Sequence, residues 1–381
     1  MADAAHNDHF PGTPPTERMK PAQVLDHQVD LVHWYGTRRG QFQAQVFLER
    51  GAVETVDGKI VGGGWDTTTD LAGALRSMLD LGETFYVTED METLIEHAAR
   101  TMPSEKLNVA YDVPFDAGFV WLQRALYIRD LRGQINSVKA ISWHRRVVDV
   151  GYAPPEIDDV IAIGDRKRRT EVAQKMLAKV PVREAMTVLI AFWSDGDDPN
   201  EAPDYLESKR AMIELGVNPP RLDLLHVMPW ASGLPSYHPE GMIDADGNTI
   251  PPELVYAAAQ GTASVQNFLR AFWIITRQKI ATVKVETADR ATRRRLERKG
   301  WPRREVSVVN LRRSERAAVD GGDESEPRHV NWSHRWLVSG HWRRQWCPSI
   351  KDHRNIYINP YVKGPEDRPF DPGDRVFQVK Q

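Results

Sequence analysis

The chain has 381 residues, 41% of them hydrophobic and twelve of them Trp, enough to bury a sizeable core in two units. The net charge is -3, and the one cysteine, Cys347, excludes an internal disulfide framework and fits a reducing compartment. The longest apolar runs, Val188–Trp193 and Ala271–Ile275, are far too short to span a bilayer, and the first residues lack the apolar core of a signal peptide, so a cytoplasmic protein without a membrane partner is expected.

Residues 1–26 are rich in Pro, Asp and His without periodicity and read as a disordered tail. Gln41–Glu49 and Val53–Val61 are strand-like, the second turning at Asp57-Gly58. Gly62-Gly63-Gly64 is followed by no Lys-Ser or Lys-Thr pair, so it reads as a turn and not as a phosphate loop. Leu71, Leu75, Met78 and Leu79 stand at helical spacing within Thr69–Leu81, Thr84–Thr88 is strand-like, and Met91–Arg100 is a second amphipathic helix. Phe119–Ile128 and Ile135–Val150 form paired strands around Arg132-Gly133, and His144 beside Arg145 and Arg146 reads as surface. Arg166–Arg169 opens a helix running to Ala178, and Met186–Trp193 is a buried strand. Asp195–Asp198, with Glu201 and Asp204 beyond, lacks the Gly and terminal Glu of a calcium loop and reads as a solvated connector; Asp244–Asn248 fails the same test and reads as a hairpin turn.

From Val265 the pattern is that of a core helix, with Phe268, Leu269, Phe272 and Trp273 on one face. It leads into a basic helix carrying Arg293, Arg294, Arg295, Arg298 and Lys299, which Gly300 and Pro302 stop, and then into a strand over Glu305–Arg313. The expected fold class is α+β: a disordered tail (1–26), an acidic mixed α/β domain (27–263), the core and basic helices (264–300), and a basic β-rich C-terminal domain (301–381) with an acidic loop at 317–327.

Charge is distributed unevenly. Residues 290–316 hold eleven Lys or Arg against Glu297, Glu305 and Glu315, residues 290–354 carry a net +9, and residues 1–289 carry -12. The C-terminal end is thus suited to phosphate, and the acidic end to a protein or basic peptide. A solvated charged face on an ordinary domain explains the same asymmetry.

Between Arg328 and Arg354 lie four His, four Trp and six Lys or Arg, a mixture suited to holding phosphates and stacking bases. Read as a strand, Asn331–Trp346 puts Trp332, His334, Trp336, Trp342, Arg344 and Trp346 on one face and Arg335, His341, Arg343 and Gln345 on the other. The next run sorts Ile356, Ile358 and Val362 against Tyr357 and Asn359. Burying the Trp and Ile faces would expose Arg335, His341, Arg343, Gln345, Tyr357 and Asn359 together, on the plan of an antiparallel sheet that reads single-stranded RNA. A bulge at Gly340 would reverse the faces after it.

The candidate nucleic-acid contacts are therefore Arg293, Arg294, Arg295, Arg335, His341, Arg343, Arg344, Gln345, Tyr357 and Asn359. Three readings of the histidines compete. A metal-independent ribonuclease would use His341 as general acid or base, Arg343 or Arg335 to stabilise charge on phosphorus, and Tyr357 or His353 for the second proton transfer. A zinc site would use His334, His341, Cys347 and His353, although the spacing is not a standard one and parity separates His334 from His341. In the third, the histidines make structural hydrogen bonds or touch phosphate, with no metal and no cofactor. A DNA-binding regulator is a further alternative, against which stands the lack of a helix-turn-helix pattern.

The segments NFLRAFWIITRQ, RRRLERKGWPRREVSVVNLRR, HRWLVSGHWRRQW and NIYINPYVKGP, with weaker likeness at LIEHAARTMP and GFVWLQ, resemble a family of phage and mobile-element proteins that includes a type V-A anti-CRISPR protein. The resemblance covers roughly the last third of the chain. It implies a translation-associated protein that engages a nascent peptide and the RNA being translated, causes decay of that message, and so lowers expression of a host defence or competing gene.

Overall fold

The computed structural model describes residues 19–50, 53–54, 60–61, 70–103, 109–130, 133–151, 182–196, 198, 203–214, 216–229, 250–312, 335–348 and 351–364. The expectations for residues 1–18, Gly62–Gly64, the helix at 166–178, Asp244–Asn248, the loop at 317–327 and His334 lie outside these residues. No helix among the described residues is long and apolar enough to cross a membrane.

The protein is mixed α/β. Short strands β1 (Val53–Glu54) and β2 (Ile60–Val61) pair with each other, as the Asp57-Gly58 turn predicts. The central sheet is built from β3 (Glu83–Val87), β4 (Ala117–Arg129), β5 (Ile135–Gly151), β6 (Val182–Asp195), β7 (Leu222–Pro229), β8 (Ala281–Thr287) and β9 (Glu305–Leu311), in the order β7-β6-β5-β4-β3-β9-β8. β4 and β9 run parallel to β3, and every other neighbouring pair is antiparallel.

Alternation along the strands builds two cores. Phe119 and Trp121 of β4 face one layer with Val306 and Val308 of β9, covered by α1 (Val24–Tyr35), α3 (Leu71–Leu81) and Leu296 of α8 (Arg290–Arg298). Val120 and Leu122 face the other, with Val309, under α4 (Glu89–Arg100) and the apolar face of α7 (Pro252–Ile275). The remaining helices among the described residues are α2 (Arg38–Arg50), the single turn α5 (Val109–Asp112) and α6 (Pro203–Glu214). The helices expected at 69–81, 91–100 and from 265 are thus found, as are the strands expected at 84–88, 119–128, 135–150 and 186–193.

Polar contacts fix the layers. Buried Gln28 of α1 donates to the Leu79 and Gly82 carbonyls at 2.7 and 3.1 Å, while its own oxygen accepts the Thr84 hydroxyl at 2.5 Å. One side chain thereby satisfies carbonyls at the C-terminus of α3 and ties α1 to β3. Gly118 lies opposite Trp143 across β4 and β5, and any Cβ there would collide with the indole ring.

Three expectations are corrected. Gln41–Glu49 belongs to helix α2: Gly40 N–H donates to Thr37 Oγ1 at 3.1 Å at its start, and the good helix formers Gln, Ala, Leu and Glu outweigh the alternation. Order begins well before residue 27, since a 3-10 turn at Pro21–Gln23 leads directly into α1. The boundaries at 264 and 301 do not separate sheets, because β8 and β9 are strands of the sheet that β3 to β7 also build.

Candidate nucleic-acid interface

The C-terminal segment folds as one long two-stranded ribbon. β10 (Trp336–Val338) pairs with β13 (Tyr361–Lys363), and β11 (His341–Cys347) pairs with β12 (Asp352–Ile358), both antiparallel and in a single register. The ladder is interrupted where Ser339 and Gly340 face Asn359 and Pro360; proline lacks the N–H that pairing there requires. A side chain at Gly340 would collide with the Tyr357 hydroxyl, so the close approach of the two strands at this point favours glycine.

Register decides which side chains share a face. Trp342 lies opposite Tyr357, Arg344 opposite Asn355 and Trp346 opposite His353; on the other face His341 lies opposite Ile358, Arg343 opposite Ile356 and Gln345 opposite Arg354. The alternation expected within each strand holds, but Tyr357 falls on the Trp face and Ile356 and Ile358 on the His341 face. Tyr357 is buried, at 3% exposure, which raises its pKa. It is therefore no part of an exposed surface with His341 and Arg343. Asn359, half-buried, stands within the break itself.

Among the described residues the ribbon docks at Trp342 and Tyr357. Tyr357 joins the core beneath α4 and α7, Trp342 meets it edge-on with ring centroids 5.2 Å apart, and Trp342 Nε1 donates to the Ala98 carbonyl of α4 at 2.8 Å. Beyond this pair Arg343, Arg344, Gln345, Trp346, Lys351, His353 and Arg354 are all exposed, so both faces of the tip are open to solvent. Trp346 is 50% exposed and stands edge-on to His353 at 5.2 Å. The Trp face is thus docked and half-buried at Trp342 and open at Trp346. The side chain of Trp336 lies outside the described residues.

The histidine constellations do not assemble. His341 and His353 lie on opposite faces and five rungs apart along the ribbon, roughly 17 Å at a strand's rise per residue. Cys347 stands at the far end of β11 from His341. Neither His341, Cys347 and His353 of the zinc set nor the members of a His341–His353 or His341–Tyr357 acid–base pair come within reach of one another, and no metal-binding group is found among the described residues. His341 Nδ1 lies 3.1 Å from the Ser339 carbonyl.

The basic helix occupies the opposite side of the molecule. α8 packs on α1, where Arg295 pairs with Asp26 at 2.6 Å and Lys299 with Asp30 at 2.6 Å. Arg303 donates to the Leu81 carbonyl at 2.7 Å and to that of Gly82, and Arg304 pairs with Glu297 at 3.2 Å. Much of the positive charge of residues 290–304 is thus paired within the fold. Arg294 is exposed and Arg293 half-buried, but the sheet lies between these residues and the ribbon. Arg335, half-buried, stands at the entry to β10.

A second charged cluster is one that sequence reasoning missed. Asp195 is 4% exposed and takes two hydrogen bonds from Arg221, at 2.8 and 2.7 Å, and buried Asp198 accepts the Tyr127 hydroxyl at 3.0 Å. Asp195 and Asp198 are therefore not part of a solvated connector: pairing of β6 with β7 brings Arg221 against Asp195. Nearby, the Trp121 ring stacks on His27 at 5.1 Å and lies under Lys139 and Arg221 at 5.7 and 5.8 Å. Burial lowers the pKa of His27 and of Lys139. Between Trp121 and Leu126, β4 bulges out of register with β5; Lys139 Nζ donates to the Gln123 carbonyl there at 2.8 Å, and Glu92 receives the Arg124 N–H. These contacts satisfy the Gln123 carbonyl and the Arg124 N–H freed by the bulge. The one signal for the cluster was the run of acids at 195–198, which acquires its meaning only from a partner on the next strand.

No protein-family model matches the chain, and no curated protein sequence is significantly similar to it.

Proposed function

We propose that this protein binds single-stranded RNA with the projecting tip of its C-terminal ribbon. The observation that carries the reading is the exposure of Arg343, Arg344, Lys351 and Arg354 around the open rings of Trp346 and His353, beyond a base held by Trp342 and Tyr357. Cations flanking an exposed aromatic ring are the components with which single strands are held, the charges on phosphate and the ring on a base. The cations stand on both faces, so RNA would wrap the tip and not lie across one sheet surface. The separation of His341 from His353 and Tyr357 favours binding over cleavage.

The resemblance to phage and mobile-element proteins extends the proposal. On that reading the RNA is a message in translation in the cytoplasm, the acidic N-terminal part engages its nascent peptide or the ribosome, and the outcome is lowered expression of a host defence or competing gene.

Full-length protein is titrated by fluorescence anisotropy with labelled single-stranded RNA and with duplex DNA over a salt series. Tight, salt-sensitive binding to RNA is expected, with the salt slope reduced by about 1.4 in the Arg343→Ala, Arg344→Ala double variant, the share of two phosphate contacts on a single strand. Absence of binding to RNA, or an unchanged slope, refutes the assignment. A two-stranded ribbon open on both faces also has the form that enters the major groove of DNA, so tighter binding to the duplex would transfer the site to a DNA-binding regulator.

A further inference from the structure

β8 ends the central sheet, and among the described residues no strand pairs with its outer side. Its pairing with β9 is unbroken from Ala281 opposite Leu311 to Thr287 opposite Glu305, with neither bulge nor proline. Such an edge presents a row of backbone N–H and C=O groups ready to pair with another strand. Its side chains are open as well: Val283 is 44% and Val285 61% exposed, and Lys284 and Glu286 are exposed on the other face. Val283 and Val285 lie opposite Val309 and Ser307, on the α4 and α7 side; Lys284 and Glu286 lie opposite Val308 and Val306, on the α1 side.

The sequence ATVKVET selects one way of pairing with itself. Residues directly opposite in an antiparallel pair share a face, so registers that set Lys284 against a valine mix the apolar and charged faces. Of the face-matched registers, one centred on Lys284 opposes two lysines, one centred on Glu286 opposes two glutamates, and one centred on Val283 sets Lys284 against Thr282 and forms no ion pair. Centring on Val285 sets Lys284 of each copy against Glu286 of the other, Val285 against itself and Val283 against Thr287. We propose that two copies of this chain associate through β8 in that register, joining their sheets across a two-fold axis at Val285. Lysine in the middle of an exposed edge ordinarily guards against strand addition; here the same lysine meets a carboxylate in a second copy and a cation in mispaired ones, so it specifies the partner. Four valines form an apolar strip on one side of the joint and two Lys–Glu pairs lie on the other. Strand pairing alone is smaller than a standard interface, so the dimer is expected at micromolar affinity.

Sedimentation velocity of the full chain over a concentration series to the order of 100 μM tests this. The wild type is expected to pass from monomer to dimer. Lys284→Glu alone turns both cross-copy ion pairs into opposed carboxylates, and Glu286→Lys alone turns both into opposed ammonium groups. Each variant is therefore expected to stay monomeric, while an equimolar mixture of the two restores opposite charges across the joint and forms a heterodimer. Both positions are exposed, and an unchanged melting temperature in each variant shows that folding is intact. A wild type that remains monomeric, single variants that still dimerise, or a mixture that does not associate would each overturn the proposal.

Discussion

Glu92 is fully buried on α4, and both of its carboxyl oxygens accept the Arg124 N–H of the β4 bulge, at 3.1 and 3.0 Å. Burial pushes its pKa from 4.5 to about 8, against the opposing pull of the Arg124 N–H and of the Lys139 and Arg124 charges. The folded protein therefore keeps a proton that the unfolded chain gives up near pH 4.5. Between that pH and about 8 the folded state binds more protons than the unfolded one, so stability falls as pH rises, by about 1.4 kcal/mol per unit, and levels off above 8. The accumulated loss is roughly 5 kcal/mol, comparable to the whole stability of a small domain. Glu92→Gln removes the titration and leaves a carbonyl oxygen for the Arg124 N–H. Lys139, whose lowered pKa gives the opposite trend, is common to both proteins and enters the comparison only through its charge coupling to Glu92. Urea unfolding at about pH 5, 7 and 9 is expected to show near-equal stabilities at the acid end and a variant more stable by several kcal/mol at the alkaline end. Parallel profiles for the two proteins would refute the burial argument.

Trp342→Ala removes the docked indole and its bond to Ala98, and is expected to cost about 2 kcal/mol in thermal or urea unfolding. Trp346→Ala is expected to leave the melting temperature unchanged while weakening RNA binding by roughly 1–3 kcal/mol in the anisotropy titration. Asp195→Asn uncouples Arg221 from a buried carboxylate and is expected to destabilise by about 3 kcal/mol in urea unfolding. Arg295→Ala breaks a partly exposed ion pair with Asp26, costing under about 1 kcal/mol, and leaves RNA affinity unchanged because α8 and the ribbon lie on opposite sides of the sheet.

Elements governed by local chemistry were legible in the sequence. The spacing of Leu71, Leu75, Met78 and Leu79, the Gly133 turn between β4 and β5, and the apolar face from Val265 each contain the information that defines their element. The ribbon was legible strand by strand but not across strands. Four residues separate Cys347 from Asp352, and closing that turn sets even positions of β11 opposite odd positions of β12, which moves Tyr357 to the Trp side. Alternation within one strand carries no information about that phase. The same holds for Asp195, whose burial depends on Arg221, and for the basic run at 290–304, whose charges meet Asp26, Asp30 and the end of α3 only after the chain has folded back over more than two hundred residues.

The place of β9 has a consequence for how the protein comes into being. β3 lies in the middle of the sheet, yet its neighbour on one side, β9, is synthesised more than two hundred residues later. Until residues 305–311 leave the ribosome, β3 closes a five-stranded sheet as its bare edge, and β8 has no strand beside it. Parallel pairing across such a span is slow to form, so the growing chain carries an open, apolar flank for most of its synthesis. A chain stopped short of β9 would therefore lack not only the ribbon but the completed sheet, and would be a substrate for aggregation or for chaperones.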